Sequence, residues 1–218
     1  MLSLLLVQIL TIVGLVGTLV LRVVGGSFGR PGKGPAPAIR VVATNPPFRG
    51  AQVIWVGGTV IVVLWGIAVL LAPMYAYHWP PFPDFVGSWI VQILGIGLTI
   101  SGGALFFRAA RSLGVQMTPS IQLRQGHELL QTGPYRYIRH PVYTAILLVA
   151  FGQTLFFLSP IVAAISVVLA AMATYRAGLE EALLSSPSGF GAAYTAYMAR
   201  TGRFVPRFRP SKAIELGR

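Results

Sequence analysis

The stretch Gly133-Pro134-Tyr135-Arg136-Tyr137-Ile138-Arg139-His140-Pro141-Val142-Tyr143 packs two arginines, a histidine and three tyrosines into eleven residues. It then runs straight into the apolar Thr144-Ala145-Ile146-Leu147-Leu148. A second polar group, Arg176 with Glu180 and Glu181, stands just after a later apolar run. Pro141 fits the first turn of a helix, where its missing N–H costs nothing, and it biases His140 toward extended backbone. The free N–H groups of that helix start, with Arg136 and Arg139 beside them, favour an anion such as a carboxylate or phosphate. A plainer reading stands beside this one, because arginines and tyrosines commonly flank membrane spans as anchors. Arg176 and Glu180, four residues apart, share a helix face. They too have a plain reading, an exposed ion pair worth about a few tenths of a kcal/mol.

The elements that must position these residues are apolar. Of 218 residues 55% are hydrophobic and 10% charged, against roughly 25% charged in soluble domains. The expected class is an all-α integral membrane protein. Four or five spans with short loops use up this length and leave no room for a separate soluble domain. The absence of cysteine excludes disulfides, thiolate metal sites and a cysteine nucleophile. Three histidines (His78, His127, His140) and five acidic residues form no recognised metal-ligand spacing, so no metal is expected. The net charge of +12 is dispersed among apolar segments, which points to anionic headgroups and not to nucleic acid.

Five spans are expected: Leu2 to Leu21, Ala51 to Leu71, Phe85 to Phe107, Val142 to Leu158 and Ile161 to Tyr175. Without a basic n-region, the first reads as a retained span and not as a secretory signal. Gly25 to Gly50 reads as a basic loop in which Ile39 to Ala43 can pack on something, and Met74 to Asp84 as an aromatic turn at the opposite interface. Gly95, Gly97, Gly102 and Gly103 allow close helix contact in the third span. The last two spans are short for a ~30 Å bilayer, so the hairpin they form is expected to tilt or to continue past the interface. A polar tail follows, with a helix around Ala192 to Arg200. The loops 22–49, 108–139 and 176–218 carry 5, 5 and 7 basic residues, which together are all 17. The positive-inside rule then places these segments in the cytoplasm and the N-terminus outside. A plasma (inner) membrane location is expected.

The Gly133–Tyr143 stretch resembles the Arg-His-Pro motif of the isoprenylcysteine carboxyl methyltransferase family and its bacterial relatives, which include phospholipid methyltransferases. The later pattern is similar as well: Arg176-x-x-x-Glu180-Glu181, Phe190-Gly191, Tyr194, Tyr197, and Arg203-Phe204-Val205-Pro206. The likeness covers roughly Gly102 to Pro206. Residues 185–189 make the stretch before Phe190 longer than the usual pattern.

This resemblance implies an S-adenosylmethionine-dependent membrane methyltransferase without a Rossmann domain. Its cofactor pocket is cytoplasmic and is formed by the ends of the last two spans and the C-terminal segment. A lipophilic or prenylated acceptor enters it sideways from the bilayer. Carried over by motif, Arg176 and Glu180 are the catalytic pair. His140, Pro141, Tyr143 and Arg139 belong to the cofactor pocket, with Glu181, Tyr194 and Tyr197 near it. The expected division is an N-terminal membrane region, 1–101, and a methyltransferase core, 102–218. A carboxylate acceptor needs no general base and would be oriented by Arg176; a thiol or amine acceptor would need Glu180 to take a proton. Two alternatives remain: an NADPH-dependent membrane reductase of sterol or enone type, which shares a similar C-terminal half, and a non-catalytic membrane accessory protein.

Overall fold

The computed structural model describes residues 3–12, 41–72, 85–117 and 120–207. Residues 4–12 are helical (α1). There follow β1 (Val41–Thr44), α2 (Arg49–Leu71), α3 (Ser88–Leu113), β2 (Gln122–Arg124), α4 (Pro141–Phe157), α5 (Pro160–Ser185) and α6 (Ala192–Arg200). Among the described residues, α2, α3 and α5 are long and apolar enough to cross a membrane, and α4 is a shorter apolar helix of 17 residues. Five spans are therefore more than the described residues show. The rest of the expected first span and the aromatic turn at 74–84 lie outside them.

The helices expose large side chains that a water-soluble surface would hide, among them Val53, Leu64, Ile100 and Val167. Only 17% of the apolar stretch of α3 is buried within the protein. Apolar surface on that scale needs lipid or a partner to cover it, and the chain is an integral membrane protein.

One expectation is corrected, and one that the sequence left open is filled in. The fold is mostly helical but not all-α: β1 and β2 pair antiparallel, Val41 opposite Arg124 and Thr44 opposite Gln122. β-branched Val41 and Val42 suit a strand, and Ile121, Leu123 and Leu183 form a small core beneath the ladder. The fifth apolar run continues as helix beyond Tyr175. α5 continues through Arg176, Glu180 and Glu181 to Ser185, 26 residues in all, or ~39 Å at 1.5 Å per residue. The short apolar run therefore continues as helix into the polar region.

Helix packing follows the small residues. A Cβ on Gly95 would lie 2.5 Å from the Phe156 nitrogen, and one on Gly102 would lie 2.8 Å from the Ala145 carbonyl, so α3 and α4 touch backbone to backbone. Gly152 answers from α4, where a Cβ would meet the Thr99 nitrogen at 2.7 Å. A Cβ on Gly97 or Gly103 would meet nothing within 4 Å, so these two take no part in the contact. Gln92 donates to the Phe156 carbonyl at 2.9 Å, satisfying a backbone acceptor at the end of α4. Leu158 in left-handed conformation and Ser159, whose hydroxyl accepts from the Val162 N–H, turn α4 into α5. Trp55, Val62, Ala150, Leu169 and Ala173 join α2, α4 and α5 in one core.

Candidate active site

His140 is the N-cap of α4 and Pro141 its first residue, as the X-Pro restriction predicts. Upstream, Gly133 adopts φ 59, and a Cβ there would come 2.7 Å from the Ser112 hydroxyl; only glycine fits this turn against α3. Residues 202–204 lie along the segment before α4 as a strap. Arg139 N–H donates to the Gly202 carbonyl at 2.9 Å and His140 N–H to the Arg203 carbonyl at 3.1 Å. Thr144 Oγ1 donates to the Phe204 carbonyl at 2.8 Å. The main-chain donors of Arg139 and His140 are thus taken by protein carbonyls, and the anion beside them is the protein's own Glu181.

Glu181 is buried and accepts from three cations. Arg139 Nε lies at 2.8 Å, His140 Nε2 at 3.2 Å and Arg203 Nε at 3.2 Å from its Oε1, and a second Arg203 nitrogen reaches Oε2. Arg139 also donates to the carbonyls of Met198 and Thr201. Glu180, the residue before it, turns a different way along the helix: its Oε2 lies 3.5 Å from His140 Nδ1, and its side chain stays 35% exposed. A carboxylate faces each ring nitrogen, which favours the imidazolium form of His140. Burial pushes its pKa down, but the hydrogen bonds to Glu180 and Glu181 outweigh that and hold it above its ordinary value.

The His140 ring stacks on Tyr143, with centroids 5.4 Å apart and planes within 11°. Tyr143 meets Trp55 of α2 edge-on at 5.3 Å. The Arg176 guanidinium lies over that same Trp55 ring at 5.6 Å and donates to Gln52 Oε1. Gln52 and Trp55 carry no motif in the sequence. The only signal for them is that an amide and an indole stand three residues apart at one end of an otherwise apolar helix, on one face.

A cavity opens where these groups meet. Arg139, His140, Tyr143, Arg176 and Glu180 line it, opposite Leu113, Met117, Ile121 and Leu183. Glu181, Pro141, Tyr194 and Tyr197 are not in its wall. Tyr194 is buried, edge-on to Tyr197 with centroids 5.7 Å apart, and the Tyr197 hydroxyl donates to the Tyr135 carbonyl at 2.6 Å. Burial pushes the Tyr197 phenol up to about 12. These tyrosines brace α6 against the segment before α4. The longer stretch at 185–189 is a tight turn: Gly189 N–H bonds the Ser186 carbonyl and Phe190 N–H the Leu184 carbonyl, which carries the chain back to α6. Gln116 and His127 also line the cavity, and the sequence assigned them no site role. Among the described residues, Gln116 Oε1 and His127 Nδ1 are buried and have no hydrogen-bond partner, and such atoms ordinarily have one.

Apolar helices ending in a charged, aromatic-lined cavity define the class as a membrane enzyme with a polar site at the ends of its helices. Residues 93–186 match the model of the Isoprenylcysteine carboxyl methyltransferase (ICMT) family. Over that segment, from within α3 to the end of α5, the chain is similar to this family. It is 28% identical over 162 residues to Protein-S-isoprenylcysteine O-methyltransferase B of Arabidopsis thaliana, covering 72% of this chain and 81% of that protein. Probable protein-S-isoprenylcysteine O-methyltransferases of Oryza sativa subsp. indica and subsp. japonica are each 28% identical over 128 residues, 57% of this chain and 66% of theirs. The resemblance carried by the Arg139-His140-Pro141 and Arg176/Glu180/Glu181 motifs is borne out, and with it the class of activity, methyl transfer.

Proposed function

We propose that this chain transfers a methyl group from S-adenosylmethionine to the carboxylate of an isoprenylcysteine-type acceptor at the cytoplasmic face of a membrane, within a core spanning 102–218. The observation that carries the reading is that Arg176, Glu180, Tyr143 and His140 line one cavity where α4 and α5 meet.

The donor set fits the cofactor. Glu180 offers a part-exposed carboxylate to an ammonium or sulfonium. The apolar wall of Leu113, Met117, Ile121 and Leu183 suits a flat base, and Gln116 and His127 hold two buried polar atoms that find no partner among the described residues. The cavity holds about 140 Å³, less than the ~300–1,000 Å³ of typical small-molecule sites, so a ligand of that size extends beyond it. When bound, the cofactor supplies an electrophilic methyl on a cationic sulfur. The chain's residues orient the partners and do little bond chemistry, because in-line displacement is governed by alignment. Arg176 holds the acceptor carboxylate through paired N–H groups. A carboxylate is already nucleophilic, so no base is required. His140 holds the Glu180 carboxylate toward the cavity, and the Glu181 cluster holds His140.

All 17 basic residues fall in three segments that alternate with apolar runs, which supports a cytoplasmic site with lateral entry from the bilayer for the lipophilic acceptor. Purified protein in detergent should bind S-adenosylhomocysteine in calorimetry and methylate an S-farnesylcysteine derivative with radiolabelled cofactor. Arg176→Ala should abolish transfer while keeping cofactor affinity within about threefold, since its contacts serve the acceptor. Folded protein that gives no binding heat would end this reading. Transfer to a phospholipid or small thiol in place of the prenylated carboxylate would revise only the acceptor.

A further inference from the structure

Arg176 is a long side chain with many rotamers, and its use as an orienting group depends on losing that freedom before the acceptor arrives. Two of the contacts that remove it come from α2. Gln52 Oε1 accepts from Nη1, which limits rotation within the guanidinium plane. The Trp55 ring under the guanidinium, 5.6 Å from its centre, limits tilt out of that plane. Trp55 is itself buried and clamped by the edge contact with Tyr143. α2 lies outside the 93–186 segment that matches the family, so these contacts are additional to the two motifs.

We infer that Gln52 and Trp55 are positioning residues that set the Arg176 guanidinium for the acceptor carboxylate. The inference rests on the methyltransferase reading above. Because the two residues act through Arg176, they should change catalysis of the acceptor and leave cofactor binding alone. α2 thereby supports the site from behind Arg176 and is not only a membrane anchor.

The test compares full-length wild type with Gln52→Ala, Trp55→Ala, Trp55→Phe, Arg176→Ala and the Gln52→Ala/Arg176→Ala double variant, all in the same detergent. Three quantities are measured: kcat and KM for an S-farnesylcysteine derivative, S-adenosylhomocysteine affinity by calorimetry, and the thermal midpoint. Gln52→Ala and Trp55→Ala are expected to lower kcat/KM by about tenfold or more, with cofactor affinity within about twofold and Trp55→Phe retaining most activity. Gln52→Ala should add nothing to the loss already caused by Arg176→Ala. Unchanged kcat/KM in both single variants overturns the inference, as do additive losses in the double variant or a parallel fall in cofactor affinity. If the wild type methylates no such acceptor, the acceptor assigned above fails separately. The thermal midpoints then decide: coupling between Gln52→Ala and Arg176→Ala supports the anchoring of Arg176 by Gln52, and strict additivity refutes it.

Discussion

Replacing Glu181 by alanine removes the one carboxylate that holds Arg139, His140 and Arg203 together. The side chains of Arg139, His140 and Glu181 are 11%, 3% and 8% exposed, so two cations would be left buried beside each other. Removing one partner of a buried pair costs about 3–5 kcal/mol. Arg203 is 38% exposed; water screens it, and it adds at most about 1 kcal/mol. The total of about 3–6 kcal/mol corresponds to a fall in thermal midpoint of roughly 6–24 °C for a chain of this size. The strap should loosen along with the cluster, because Arg139 also holds the carbonyls of Met198 and Thr201. Glu181→Gln keeps the shape and some hydrogen bonds, and should fall between wild type and Glu181→Ala. The assay is tryptophan or light-scattering melting of purified protein in one detergent, with limited proteolysis reporting on cleavage after residue 200. A Glu181→Ala midpoint within about 1 °C of wild type, with the tail equally protected, would refute the claim that this cluster ties the C-terminal strap to α4 and α5.

Two further outcomes follow from packing and protonation. Gly95→Ala places a methyl group 2.5 Å from the Phe156 backbone nitrogen and should destabilise by about 1–3 kcal/mol or more. Gly97→Ala meets nothing within 4 Å and should be neutral or slightly stabilising; equal effects in melting experiments would contradict this rotation of α3 against α4. His140 has a raised pKa in the folded state through Glu180 and Glu181, despite its burial. The folded protein therefore binds that proton more tightly than the unfolded chain. The resulting stability is complete below about pH 6.5, the unfolded value, and is lost as pH rises through the raised folded value. A melting series from pH 6 to 9 should show this decline, and His140→Gln should flatten it; an unchanged profile in that variant would assign the decline elsewhere.

Local patterns made much of the architecture legible. Apolar runs marked α2 to α5 to within a few residues at most ends, Pro141 marked the start of α4, and the tail helix at Ala192–Arg200 was placed as observed. Such features depend on neighbours within one or two turns, so sequence contains them. The length of α5 was harder to read. Hydropathy marks its polar end only as the start of a polar tail, but Arg176, Glu180 and Glu181 are good helix formers whose charges are met by residues far away in the chain.

What the sequence by itself determined is a membrane protein with two charged motifs at the ends of its apolar helices, and the resemblance those motifs carry. Only the tertiary structure decided how their residues divide the work. Glu180 and Glu181 are adjacent, and the ~100° step of a helix sends one into the cavity and the other onto Arg139, His140 and Arg203. Gly95 and Gly102 meet α4 while Gly97 and Gly103 do not, by the same rotation. Gln52 reaches Arg176 across 124 residues of sequence. Nothing local distinguishes that amide from any other, because its partner is chosen by how α2 and α5 pack and not by anything in its own turn of helix.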